Sequence, residues 1–421
     1  MNQRKRRNIH IIVSMCMCAI SQHKKETLFC YRFSVYFVNS IALKDGTFIW
    51  GCILAIAGVL TGLLSPVIGS FTDKKGTRKR FLLLLTFVGF ISTAILWFAK
   101  PGHEYMIFAA LFSCCSILSM ELIFVLYNSL LCKVSKKISY GEISGYSWCA
   151  GYLGGIVSLI LCLLIFIFPE SLPFGLSKEN AGDVRACMIF ISIWLILFCL
   201  PLFIYVKEPE KNLTKQNLWH YMRDGFSIIL KSKSVLRYFL ARIFYFDALV
   251  TLFAFGGIYA AKVFDFDKIE ILYFAILINI SAAFGAVLGG YFDDRFSPFK
   301  TIRISLLGLV FTGLILILID NKTSFWVISF FLGFFVGPLQ SSSRVLLSKI
   351  VPEDRGAQFF GFAIFSGKIT SFLGPLIYGS LVMAFESQKF GMLFVILLFL
   401  ISFLILGKNE PNNITSSSGF K

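Results

Sequence analysis

Eleven long apolar runs leave this chain few ways to fold. They lie at about 47–71, 81–99, 105–134, 145–169, 186–206, 236–261, 269–292, 300–319, 324–350, 357–384 and 390–407. Each is close to or longer than the roughly 20 apolar residues a helix needs to cross a bilayer core. The runs do not alternate in polarity and are about twice the length of a membrane β-strand, which excludes a barrel of amphipathic strands. A shorter run at about 31–43 would make twelve. Composition agrees: 57% of residues are hydrophobic and only 15% charged, against about 25% charged in soluble domains. The expected fold class is an all-α polytopic membrane protein, with the lipid bilayer as its first partner.

The net charge of +17 would suggest nucleic acid in a soluble chain. Here the basic residues follow the spans. With a first span ending near residue 43, loops after even-numbered spans carry Lys74, Lys75, Arg78, Lys79 and Arg80; Lys133, Lys136 and Lys137; the basic stretch from Lys207 to Arg237; Arg295, Lys300 and Arg303; and Lys349 and Arg355. Loops after odd-numbered spans are poor in Lys and Arg. This bias places the even loops and both termini on the cytoplasmic side, and no nucleic-acid partner is expected. The polar stretch 206–237 at mid-chain reads as a linker, and "LWHYMRDGFSIIL" within it as a helix lying on the membrane surface. The organisation expected is an atypical N-terminus over 1–32, an N-terminal half over 33–206, a cytoplasmic linker over 207–235, a C-terminal half over 236–407 and a cytoplasmic tail over 408–421.

The two halves repeat. "GSFTDKKGTRKR" follows span two, and "GGYFDDRFSPFK" follows span eight. Gly69 and Asp73 stand four apart, as do Gly290 and Asp294. A basic residue follows each aspartate, Lys74 and Arg295. Gly145 and Gly151 open span five six residues apart, and Gly361 and Gly367 open span eleven at the same spacing. The offsets, 221 and 216, agree to within a few residues. Two parallel six-helix halves produce that pattern.

Charge inside a membrane is costly, so ionisable residues within spans are candidates for the solute or proton pathway. Glu121 and Asn128 lie seven apart, on nearly one helix face. Glu121 either carries a proton by changing charge state or makes a structural hydrogen bond to a neighbouring helix. Arg242 and Asp247 share span seven, about 140° apart, which argues against their pairing; Arg242, near the inner end, reads as snorkelling to the interface. Lys368 in span eleven has a stem long enough to do the same, and the depth of Arg344 stays open. A cavity holding carboxylates and a cation would suit a zwitterion or an organic anion.

Gly58-x-x-x-Gly62, Gly151-x-x-x-Gly155 and Gly285-x-x-x-Gly289 read as close helix contacts. Gly337-Pro338 and Gly374-Pro375 read as kinks. The eleven cysteines lie mostly inside the spans and read as small apolar packing residues. No phosphate-binding loop, H-E-x-x-H, nucleophile elbow or dinucleotide fingerprint is present, and the four histidines are scattered. No metal, cofactor or enzymatic activity is expected.

"GSFTDKKGTRKR" resembles the cytoplasmic signature loop between spans two and three of the major facilitator superfamily, and "GGYFDDRFSPFK" its weaker copy. "VLYNSLL", "GEISGYSWCAGYLGG", "ARIFYFDALVTLFAFGGIYA" and "GPLQSSSRVLLSKIVPEDRGAQFFGFAIFSGKITSFLGP" resemble the vacuole effluxer-like branch, whose yeast member exports amino acids during autophagy. The likeness runs from about 33 to 407. It implies a secondary transporter, monomeric, that exports a small solute, amino acids among the candidates. The resemblance also implies a gate: Asp73 against the N-terminal end of span eleven near Gln358 to Gly361, Arg78 and Lys79 anchoring the loop, and Gly69 and Gly76 permitting close contact and the turn. Ser297 stands where the second copy would carry Gly76, so Gly290, Asp294 and Arg295 are expected to gate less strictly.

Residues 1–32 depart from the branch, which opens span one with an aromatic-rich segment containing a Tyr-Asp-Trp-like triplet. "MNQRKRRNIHIIVSMCMCAI" has the basic start and short apolar run of a signal peptide but no small-residue cleavage site after it. Either this run and 31–43 form a broken first span, or the true start was lost to a frameshift or misannotation. The alternative to a transporter is then an inactive one lacking an intact first helix. The Phe-, Ile- and Lys-rich composition points to an AT-rich bacterial gene and a plasma membrane.

Overall fold

The computed structural model describes residues 33–42, 45–134, 139–206 and 216–411. Among them every regular element is helical. A short α1 (Ser34–Tyr36) runs into a π-helical turn at Phe37–Ile41. The N-terminal half continues with α2 (Gly46–Lys75), α3 (Arg78–Ile95), α4 (Met106–Val134), α5 (Tyr140–Cys162) and α6 (Gly182–Tyr205). A linker helix α7 (Leu218–Lys231) follows. The C-terminal half comprises α8 (Lys233–Phe264), α9 (Lys268–Arg295), α10 (Pro298–Leu318), α11 (Lys322–Ile350), α12 (Gly356–Thr370), α13 (Leu373–Phe385) and α14 (Gln388–Leu406). Among the described residues, eleven helical stretches are long and apolar enough to cross a membrane, with α12 and α13 together forming one of them. Leu318 and Met383 are 79% and 80% exposed; faces of that kind are stable only against lipid.

Local chemistry sets the helix ends. Gly76 ends α2 in the left-handed region at φ 63°, ψ 37°, a conformation glycine adopts without steric cost. Asp267 and Glu270 form a reciprocal capping box at the start of α9. Ser297, Asn321 and Ser387 cap α10, α11 and α14. The first-span remnant is well packed: Phe33, Tyr36, Phe37 and Ile41 are buried, and the Tyr36 hydroxyl donates to the Ala99 carbonyl at 2.7 Å. The expected break or loss upstream of it falls on 1–32, outside the described residues.

Two helix pairs join the halves: α2 lies along α12, and α5 along α9. The Gly285/Gly289 pair does bring helices close, because a Cβ at either would run into Phe334 or Pro338 of α11. Gly58 faces open space instead. Of the two expected kinks, one is a true break, at Ser371–Phe372 between α12 and α13, just before Gly374-Pro375. At the other, α11 stays helical through Gly337-Pro338, and Gly337 lies against the Ala282 carbonyl of α9, so the small residue serves a close crossing.

"LWHYMRDGFSIIL" is a helix, with Tyr221, Gly225 and Ile229 facing the bundle and Trp219, Phe226 and Leu230 exposed. The four-residue step of its buried face is what a helix resting on a surface requires.

Candidate functional site

The first junction between halves lies at the end of the bundle that carries the basic loops. Asp73, on the last turn of α2, is 4% exposed. One carboxylate oxygen, Oδ1, accepts from Arg78 Nε. The other, Oδ2, accepts from the Gln358 backbone N–H at 2.9 Å, in the first turn of α12. The Arg78 guanidinium continues to the carbonyls of Glu353 and Asp354 at 3.0 and 3.1 Å. A buried carboxylate thus meets both a guanidinium and the positive end of a helix. Gly69 lies one turn back, where a Cβ would strike the Ala357 carbonyl. The linker helix braces the same point. Gln358 Nε2 donates to the Tyr221 carbonyl at 2.9 Å, and Arg355 stacks on the Tyr221 ring at 4.3 Å. Burial pushes the Tyr221 phenol above its ordinary pKa, so the ring is neutral beneath that cation. Lys79 sits partly exposed in the first turn of α3.

The second junction is the repeat's counterpart. Asp294 Oδ1 and Oδ2 accept from the backbone N–H groups of Gly141 and Glu142 at 2.9 and 2.7 Å, in the first turn of α5. Gly141 and Gly290 lie carbonyl to Cα, and Gly145 against the Ala286 carbonyl. Arg295 turns away from this contact, donating to the Tyr291 hydroxyl at 3.0 Å. Ser297 reaches its turn differently from Gly76: its backbone is extended at φ −172°, and its hydroxyl accepts from the Phe299 N–H and donates to Glu410 at 2.6 Å. Asp293, beside Asp294, is 1% exposed. Its carboxylate faces the Thr301 and Ser342 hydroxyls, without a well-formed hydrogen bond to either oxygen.

Between the halves lies a small, partly open cavity of about 50 Å³ lined by Asn128, Arg242, Gln340, Ser343 and Arg344, with Phe124, Trp148, Leu347, Phe360 and Ile364 as its apolar wall. Arg344, whose depth the sequence left open, is buried. Its Nε and Nη2 donate to Ser144 Oγ and O at 3.0 and 3.1 Å, and its Nη1 to Asn128 Oδ1 at 3.3 Å. Asn128 and Arg344 are 216 residues apart, the offset of the repeat itself, so each meets its own counterpart across the pseudo-two-fold axis.

Arg242 does not snorkel. It donates to the Ala363 carbonyl at 2.8 Å, stacks on Phe246 at 5.2 Å and lines the cavity. Nor does Lys368, which pairs across the halves with Glu121 at 2.6 Å. Glu121 lies one turn further from the basic end than Phe124, which lines the cavity. Asp247 belongs elsewhere: buried in α8, it accepts from the Gly374 N–H at 3.3 Å, next to the break between α12 and α13.

The halves meet unevenly. Gly58, Gly62, Ser65 and Gly69 share one face of α2, and Ala357, Gly361, Phe365 and Lys368 one face of α12. At the basic end Gly69 touches Ala357. One turn on, a Cβ at Gly361 would strike the Ser65 carbonyl. At Gly62 an added Cβ would only reach Lys368 Cβ at 3.6 Å, and at Gly58 it would meet nothing within 4 Å. The two helices touch at the basic end and part toward the other.

Reading the sequence alone missed Asp293, Ser144, Gln340 and the bracing by Tyr221. Asp293 carried a signal, since the 221 offset sets it opposite Thr72. The others carried none, because their partners come from distant helices.

The family described as vacuole effluxer Atg22 like matches residues 17–409, beginning upstream of residue 33, where the likeness read from the sequence starts. The chain is 21% identical to the MFS-type transporter YxiO of Bacillus subtilis (strain 168), covering 87% of this chain and 86% of that one. It is 23% identical to autophagy-related protein 22 of Yarrowia lipolytica, over 57% of this chain and 45% of the relative. Among solved structures, the proton:xylose symporter XylE of the major facilitator superfamily superposes with a TM-score of 0.79 at 13% identity, covering 99% of each chain. At that identity the likeness is one of fold.

Proposed function

The chain belongs to the vacuole effluxer Atg22-like family and has the major facilitator fold, and on that premise we propose that it moves a small solute out across the membrane by rocking its two halves about the central cavity. The observation that carries this reading is the pair of reciprocal junctions. Each half offers a carboxylate, Asp73 or Asp294, to the first turn of a helix in the other half. Both lie at one end of a cavity whose helices part at the other end. In this reading the junctions are latches, and breaking them opens the basic side. The Lys and Arg bias makes that side cytoplasmic and places both termini there, with residues 207–235 as the linker between the halves. The membrane is a bacterial plasma membrane in this reading.

Glu121 is the proposed proton carrier. Its partner Lys368 comes from the opposite half, so protonating Glu121 would loosen a tie that rocking must break. Proteoliposomes loaded with labelled amino acids, sugars or organic anions should lose one class faster with the protein than without it. No acceleration for any class would overturn the proposal. Glu121→Gln should abolish the pH dependence of that efflux, and an unchanged pH profile would remove Glu121 from the proton path.

A further inference from the structure

The cavity holds more positive charge than its own residues balance. Two guanidiniums, Arg242 and Arg344, line it, and its other polar lining groups are the uncharged Asn128, Gln340 and Ser343. The two arginines' hydrogen bonds to described residues include Ser144 Oγ and O, Asn128 Oδ1 and the Ala363 carbonyl, all neutral oxygens, and Arg344 also lies against the Tyr127 ring at 5.7 Å. Among the described residues neither forms an ion pair. The nearby carboxylate, Glu121, is matched by Lys368. A buried charge costs free energy unless an opposite charge answers it. A guanidinium also offers a planar fork that suits two oxygens at once.

Resting on the transport reading above, we propose that the solute is a small organic anion: one carboxylate seated between Arg242 and Arg344, and an apolar body against Phe124, Trp148, Phe360 and Ile364. A zwitterion is disfavoured because, among the described residues, no acid lines the cavity to receive its ammonium group. The seat also ties substrate to movement. Arg344 belongs to the C-terminal half, and its acceptors Ser144 and Asn128 to the N-terminal half. A carboxylate is a stronger acceptor than a hydroxyl, a carbonyl or an amide. Binding it draws Arg344 away from Ser144 and Asn128, and so loosens the halves close to the Asp294–Gly141 junction.

Calorimetry on the full chain in nanodiscs tests the site with three probes of one carbon skeleton: 4-methylpentanoate, leucine and 4-methylpentanamide. The anion should bind at least ~10-fold tighter than the zwitterion or the neutral amide, a difference one charge-assisted contact supplies. Arg242→Gln should erase that preference, while Arg242→Lys should keep part of it, which separates a lost charge from a misfolded protein. Leucine binding as tightly as the anion, or a preference surviving Arg242→Gln, would overturn the proposal. Saturating anion should speed hydrogen exchange in the segment 139–146; unchanged exchange would overturn the loosening of Arg344. Counterflow of the same probes separates this inference from the transport reading. Anion that binds but is never carried sinks transport and leaves the site standing, whereas carriage of leucine without anion binding does the reverse.

Discussion

The two junctions do the same geometric job with different chemistry. At Asp73 the carboxylate is buried, shares a guanidinium with α3 and takes a single backbone N–H from α12. At Asp294 it is exposed, takes two backbone N–H groups from α5 and forms no ion pair among the described residues, with Arg295 donating to Tyr291 instead. The glycine contacts, by contrast, are nearly the same: Gly69 on the Ala357 carbonyl, and Gly290 on the Gly141 carbonyl. Backbone contact is thus the shared part of the repeat, and charge is where the copies have diverged. A buried ion pair is expensive to break on one side, whereas an exposed carboxylate at a helix end contributes little and is screened by salt.

This contrast can be broken at several points. Asp73→Asn should have the largest effect. It leaves Arg78 buried without its acid, a loss on the order of 3–5 kcal/mol for removing one partner of a buried pair. Efflux from proteoliposomes and thermal unfolding should both fall, with membrane insertion intact. Normal transport would return this loop to a plain charged turn. Next come Gly69→Val and Gly290→Val, which should cost alike, about 1–3 kcal/mol each, as overpacked contacts do. Gly58→Val, on the same face of α2 but in open space, should be silent in the same assay. A large difference between Gly69→Val and Gly290→Val would show that the backbone contacts are not equivalent.

Asp294→Asn should be milder, about 0.3–1 kcal/mol at low ionic strength, and its effect should shrink in high salt while that of Asp73→Asn does not. Equal losses from the two aspartates would remove the asymmetry. The smallest change is Asp293→Thr, which copies Thr72 of the first half. Thr72 donates to the Ile68 carbonyl at 2.8 Å, whereas Asp293 is buried without a well-formed hydrogen bond to either oxygen. The substitution should leave the melting temperature unchanged or slightly raised; a marked drop would mean that Asp293 supports the second junction in a way Thr72 does not support the first.

The sequence by itself determined the membrane class, the count of long spans, the loops that share one side and the internal repeat. Those follow from run length, charge bias and spacing, all local properties of the chain. It also singled out Asp73, Gly69 and Gly76 as residues that topology alone does not require, and these lie at the first junction between the halves. What it could not assign were partners. Lys368 and Arg242 each had a side chain long enough to reach the interface, and only the packing of α4, α8 and α12 turned them inward, to Glu121 and to the cavity. Arg344 and Asn128 lie 216 residues apart, and nothing along the chain joins them; the pseudo-two-fold axis does. Gly337-Pro338 looked like a hinge because proline removes a helix hydrogen bond, but α11 stays helical there, and Gly337 lies against α9. Local pattern fixes which residues must leave water, and only the assembled bundle decides which charge faces which, because that choice is made between helices far apart in the chain.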